Sequence, residues 1–223
     1  MSEDVSTQQQ STVEPPAHAA DPGEVAFSLF AVFRLSSSHP VVLDGRDVPD
    51  IVQELEDVTA SLAEERVFVR GWYDVSGIRS DADLMVWLHG SEIEDLQWAL
   101  RQLRRCALLR PLIRAWSGIG ADPVPQEGFA SREPSEWLAC ATAEIPDETP
   151  LAGLASDGDV ALHVFDAAGL ADAGWLVAAE ADDPLALIGL VRALQHGAPV
   201  IADVRTRYTG RFIEPAEIVE VLQ

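Results

Sequence analysis

The spacing of hydrophobic positions along this chain changes several times, and each change marks an element. Residues 26–35 carry apolar side chains on both faces of a strand. Phe27, Leu29, Ala31, Phe33 and Leu35 lie on one face, and Ser28, Phe30, Val32 and Arg34 on the other. A sheet built on such a strand is covered on both sides. Over residues 47–66 the period lengthens to that of a helix of about five turns. Ile51, Leu55, Val58 and Leu62 form its stripe and Pro49 suits its first turn. Glu54, Glu56, Glu64 and Glu65 fall mostly off the stripe, on a solvated face.

The densest pattern covers residues 71–116 and predicts strand, turn, strand, helix, strand. Val67, Val69, Gly71, Tyr73 and Val75 share one face, with Phe68, Arg70, Trp72 and Asp74 on the other. Ser80-Asp81 supplies a turn. Leu84, Val86 and Leu88 then oppose Met85, Trp87 and His89. Ser91 and Glu94 have the spacing of a capping box. Ile93, Leu96, Leu100, Leu103 and Ala107 repeat at helical spacing, and residues 112–119 form a fourth strand. The order β-α-β-β-α-β is the ferredoxin-like unit.

Pro123, Pro125, Gly128 and Pro134 mark a loop, after which the order recurs. Strands are expected at 136–143, 160–167, 174–181 and 200–207. Asp183 caps a helix with Pro184 at its first position, Leu185, Ile188, Val191 and Leu194 on its apolar face and Gly197 at its end. The expected fold is α+β: tandem ferredoxin-like units, their sheets packed face to face and their helices outside. The N-terminal unit is 25–120, the linker 121–135, and the C-terminal unit 136–223 with a shortened first helix and a tail. Residues 1–24 form a polar, acidic stretch expected to be disordered.

Composition narrows the partners. The net charge is −22, and all 15 basic residues are arginine. Such a surface repels nucleic acid and anionic membrane. It suits a soluble, dispersed protein; a salt-adapted host is a second reading. Cys106 and Cys140 sit on expected core elements and read as buried free thiols in a reducing cytoplasm. No secretory leader pattern and no apolar run of about 20 residues occurs, so a cytoplasmic location is expected. No metal-binding spacing, nucleotide loop or nucleophile elbow is present. Asp81 and Asp83 read as turn chemistry. The tryptophans at 72, 87, 98, 116, 137 and 175 read as packing. His18 and His39 are expected on the surface. His196 suits a helix C-terminus, and His89 is placed to cap or line a contact.

The run Tyr73-Asp74-Val75-Ser76-Gly77-Ile78-Arg79-Ser80-Asp81-Ala82-Asp83-Leu84-Met85-Val86-Trp87 resembles the central hairpin of the chlorite dismutase superfamily, in the branch of actinobacterial coproheme decarboxylases. Residues 175–183 resemble that family's last core strand. Tyr208-Thr209-Gly210-Arg211, followed by residues 214–222, resembles its C-terminal tail. The resemblance implies a dimeric α/β-barrel, haem or coproheme as cofactor, and a ring of subunits. It also implies an axial histidine from the helix joining the first two strands of the second unit, a radical-forming tyrosine on the first of those strands, and a distal histidine in the loop before it.

None of the three is in place. The joining segment, residues 144–159, is short and broken by two prolines, and Pro150 falls near the axial position. Ala141 occupies the tyrosine's position. The loop holds no histidine, and none occurs between His89 and His163. Tyr73 and Tyr208 match positions outside the radical role. His163 is the one substitute ligand to weigh, although a strand histidine with a satisfied ring is the plainer reading. Arg101, Arg104, Arg105 and Arg110 are read as balancing neighbouring acids, with a propionate clamp as the alternative. No catalytic residue, metal ligand or cofactor is therefore assigned. The expected function is a structural or regulatory subunit that has lost haem ligation and catalysis, in a homo-oligomeric ring or in a hetero-oligomeric one shared with an active homologue. The alternative is an active coproheme decarboxylase or haem peroxidase with non-standard ligands.

Overall fold

The computed structural model describes residues 26–36, 47–122, 132–145, 159–196 and 207–222. The expected sites at His18, His39 and Pro150, the tail 1–24 and most of the linker lie outside them, as does the side chain of His196. Eight antiparallel strands and four α-helices are present among the described residues. The strands are β1 (Phe27–Arg34), β2 (Phe68–Asp74), β3 (Leu84–Gly90), β4 (Ile113–Ala121), β5 (Trp137–Ala143), β6 (Val160–Asp166), β7 (Trp175–Ala181) and β8 (Arg207–Ile213). The helices are α1 (Val48–Glu64), α2 (Ile93–Leu103), α3 (Pro184–His196) and α4 (Ile218–Val221).

The α+β class and the order of elements agree with the sequence reading. The two sheets also join edge to edge, as the barrel implied by the resemblance requires. The strands close into one barrel in the order β1-β3-β2-β8-β5-β7-β6-β4. Two narrow seams unite the halves. At one, β2 pairs with β8 through Trp72, Tyr73 and Asp74. At the other, Ala121 of β4 pairs with Asp166 of β6. A glycine sits at each seam because nothing larger fits. A Cβ on Gly210 would stand 2.7 Å from the Asp74 carbonyl, and one on Gly120 2.8 Å from the Phe165 Cβ.

The period-2 alternation of the strands makes two surfaces. Outward residues of β1, β2 and β3, such as Leu29, Phe33, Val86 and Leu88, pack under α1 and α2 against Leu55, Leu62, Leu96 and Leu103. Inward residues from both halves, including Phe30, Tyr73, Trp87, Leu138, Cys140, Phe165 and Tyr208, fill the barrel. Both faces of β1 are thus covered, as its apolar pattern implies. The chain end returns to the N-terminal half: Ile213, Ile218, Val219 and Leu222 join the core beneath α1.

Four local expectations need correction. The helix after β3 starts at Ile93 with Glu92 at its cap and no side-chain capping bond, so Ser91 and Glu94 form no capping box. The last strand of the second unit is β8, the stretch read as a tail motif; residues 200–206 lie outside the described set. On α3, Asp183 does cap, its Oδ1 accepting from the Leu185 amide at 2.9 Å. The buried side is Leu187 with Ala186 and Leu190, while Leu185 and Ile188 are 68% and 49% exposed. The helix is apolar nearly all round, so its periodicity does not choose a face. Finally, β2 changes face midway, with consequences for the interior.

Candidate functional site

The pairing of β2 with β3 shifts register between Val69 and Gly71: Val69 faces Leu88 and Gly71 faces Trp87. Arg70 is the extra residue of this bulge. Val67, Val69 and Trp72 therefore point outward, while Tyr73 and Val75 point inward. The strict alternation expected for this strand fails at that point, and the bulge turns the Arg70 guanidinium into the barrel.

There it meets the C-terminal half. Arg70 Nη2 lies 2.9 Å from Glu180 Oε2 of β7, and His163 Nε2 of β6 lies 3.0 Å from the same oxygen. The guanidinium also donates to the backbone carbonyls of Arg132 and Glu133. It lies 5.7 Å from the centroid of the Trp87 ring, which meets the His163 ring edge-on at 5.5 Å. Trp87 Nε1 donates to Ser28 Oγ at 3.1 Å. All these groups are buried. Glu180 Oε1 and the Tyr73 hydroxyl find no hydrogen-bond partner among the described residues.

The electrostatics follow from the geometry. Burial pushes the Glu180 carboxyl up, but the His163 hydrogen bond and the Arg70 charge outweigh it and hold the group below its ordinary range. Burial, reinforced by the Glu180 charge, raises the Tyr73 phenol well above its usual value. Burial, with the Arg70 charge beside it, pulls His89 down to about 4, so the ring is neutral inside the barrel end, stacked on Phe68. The cluster is a buried ion pair with an imidazole on the same carboxylate oxygen. Sequence inspection missed Arg70 and Glu180. A lone glutamate in the alanine-rich strand Trp175–Ala181 was the available signal for Glu180. Arg70 had none, because the bulge is not written in the alternation.

A haem group on the C-terminal sheet would need a ligand from that sheet or from the segment joining its first two strands. In the N-terminal half, the helix joining the first two strands, α1, lies on the outer face of its sheet. The matching outer face of the C-terminal sheet carries Ala139, Ala143, Leu162, Val164, Val177 and Ala179, with Trp137 and Trp175 at its margins. Ala141 lies on the same side of β5 by alternation, opposite Val177 of β7. None of these side chains can ligate iron or form a phenoxyl radical. His163 points the other way, into the barrel and onto Glu180. Residues 146–158 contain no histidine, cysteine, tyrosine or methionine. Among the described residues, those on this face do not fit an axially ligated haem.

The remaining candidates separate. Tyr208 packs on Trp116 at 5.5 Å with the Arg79 guanidinium 4.9 Å from its ring. Asp81 pairs with Arg79 and Asp83 accepts from the Leu35 amide, both in turn roles. Cys106 and Cys140 are buried free thiols, and burial pushes both up, Cys106 to about 11. Arg101, Arg104, Arg105 and Arg110 make no contact ion pair among the described residues. Arg105 donates to Gln102, while Arg101 and Arg104 line a groove. No group of three or more acidic, histidine or cysteine side chains is arranged to hold a metal among the described residues. No helix among them is long and apolar enough to cross a membrane.

The chlorite dismutase family model matches residues 49–127. Coproheme decarboxylase from Mycolicibacterium smegmatis is 27% identical over 193 residues, which cover 77% of this chain and 82% of that protein. Chlorite dismutase from Candidatus Nitrospira defluvii, solved in complex with imidazole, superposes with a TM-score of 0.70 at 18% identity, covering 92% of this chain and 97% of that one. A doubly substituted form of the same enzyme gives 0.69 at 18% identity, covering 89% and 96%. The structures agree with the eight-stranded barrel, and the family model spans the hairpin and helix that carry the sequence resemblance. Along most of its length the chain is similar to a protein of the chlorite dismutase superfamily, and its barrel has the fold of the solved chlorite dismutases.

Proposed function

We propose that this chain is a superfamily member that has given up haem ligation and catalysis and serves as a structural or regulatory subunit. It assembles, in this reading, with an active coproheme decarboxylase of its host into a ring. The observation that carries it is the fate of His163. It is the one histidine of the chain's second half whose side chain is described, and it faces inward onto Glu180, which Arg70 already neutralises. Freeing it would leave a buried carboxylate short of a hydrogen bond and would still leave the ring on the wrong side of the sheet. The outer face of the C-terminal sheet carries alanine, valine, leucine and tryptophan and no iron ligand among the described residues, while the barrel itself closes.

Titration of the purified full chain with haem and with coproheme tests the loss of ligation. The expected result is no saturable one-to-one Soret shift and no decarboxylation on adding peroxide. Affinity capture from the host tests the assembly, with a chlorite-dismutase-family protein as the expected companion. The alternative, an active coproheme decarboxylase with unusual ligands, draws on the Mycolicibacterium relative. A tight one-to-one complex with peroxide-dependent turnover would establish it and overturn the first reading.

A further inference from the structure

A groove of about 480 Å³ opens between α2 and β4 on the outside of the N-terminal half. Leu29 and Leu100, both nearly buried, line its apolar side. Its polar lining includes Gln97, Arg101, Arg104 and Arg114, and no acidic residue contributes to it. In a chain with 15 arginines against 37 acids, a wall of three cations and no carboxylate runs against composition. Arg70, Arg79 and Arg211 each hold a carboxylate. Arg101, Arg104 and Arg114 make no ion pair among the described residues.

A local explanation covers only part of this. Arg101 and Arg104 stand at the end of α2, where the helix dipole favours cations. Arg114 comes from a different element, and no helix end accounts for it. Three like charges converging on one concavity repel one another until an anion enters. Guanidinium forks match the paired oxygens of carboxylates and phosphates. Gln97 stands one turn before Arg101 on the same helix face and adds a neutral donor and acceptor. The volume lies in the range of small-molecule sites.

We propose that this groove binds a small ligand carrying at least two negative charges, a polycarboxylate or a phosphate compound, held by Arg101, Arg104 and Arg114. The site lies mainly on the N-terminal half, with Leu170 of the β6–β7 turn at its margin, and does not depend on whether the chain binds haem.

Isothermal titration of the full chain at low salt, with citrate and with inorganic pyrophosphate as probes, tests it. The expected result is saturable one-to-one binding of at least one probe with a Kd below about 1 mM, and the preferred probe tells carboxylate from phosphate chemistry. Arg104→Ala combined with Arg114→Ala should weaken binding tenfold or more. Arg211→Ala, an exposed arginine outside the groove, should leave it unchanged. Both substitutions lie on the surface, and an unchanged circular dichroism spectrum verifies the fold. The proposal is overturned if neither probe saturates, or if Arg211→Ala weakens binding as much as the groove variant does. It is equally overturned if no probe binds and the groove variant instead changes the sedimentation of the assembly, since the arginines would then be a protein contact.

Discussion

Glu180 is the residue on which the barrel interior depends. It carries the negative charge in contact with Arg70, and its carboxylate also holds His163. Glu180→Gln keeps the shape and removes the charge. Breaking a buried pair by changing one member costs roughly 3–5 kcal/mol, a fall in Tm on the order of 10 °C for a chain of this size. Thermal unfolding at pH 7 measures it. Arg79→Ala, which breaks an exposed pair, should leave Tm nearly unchanged. The folded carboxyl titrates below its ordinary value of 4.5, so its contribution is complete above that pH and is lost as pH falls through the folded value. The gap between the wild type and Glu180→Gln should therefore narrow only in acid below about pH 4.5. His89 acts in a higher window. Its folded value is about 4 against 6.5 unfolded, so between those limits the unfolded chain binds the extra proton. Stability should fall as pH drops from 6.5 to 4, and His89→Gln should flatten that slope in urea unfolding curves. Of these residues, only His163 was singled out from sequence for its chemistry, and its satisfied ring matches the plainer reading. Glu180 was visible as the one charge in an apolar strand. Arg70 was hidden, because a bulge inserts a residue without altering the composition around it.

Elements show the same division between what pattern carries and what it does not. Residues 84–88 keep strict alternation, and the structure places their faces as read. On α1, Leu55 and Leu62 are fully buried and Ile51 and Val58 pack beside them, as a clean stripe implies. The face of α3 was not legible, because leucine, isoleucine and valine surround it. β8 was passed over because its alternation, Tyr208, Gly210, Phe212, is spread over aromatic and glycine positions. Those positions are what the seam requires. Gly210 and Gly120 allow one half's backbone to approach the other, and a methyl group at either meets backbone or a β-carbon rather than a yielding side-chain end. Gly210→Ala and Gly120→Ala should each destabilise by about 1–3 kcal/mol through overpacking. Gly210→Ala should raise amide exchange first in β2 and β8, and Gly120→Ala in β4 and β6. Uniform exchange across all strands in both variants would contradict the seam assignment.

At the scale of the whole molecule, two ferredoxin-like units were legible from the order of elements, while barrel closure was expected only through the family resemblance. Inward and outward positions alternate identically in two stacked sheets and in a barrel. Only the edge pairings of β2 with β8 and β4 with β6 distinguish them, and edges leave no periodic trace. Closure has an energetic consequence. The interior cluster takes Phe30, Val32, Tyr73, Met85 and Trp87 from one half and Leu138, Cys140, Phe165, Leu176 and Tyr208 from the other. Separating the halves would expose both sets to water, at about 25 cal/mol for each Å² of apolar surface. It would also part Arg70 from Glu180 and strip Ile218, Val219 and Leu222 from the core beneath α1. Each half would keep its own outer cluster but lose the interior that the two share. A fragment of residues 1–122 and one of residues 132–223, expressed singly, should lack the near-ultraviolet dichroism that fixed tryptophans give. Mixed in equal amounts, they should recover it. The intact chain should then unfold in a single transition, with far-ultraviolet dichroism and tryptophan fluorescence changing together. Two separated transitions, or a lone half with native tryptophan signal, would mean that each unit holds its own core and that the shared interior is not what binds them.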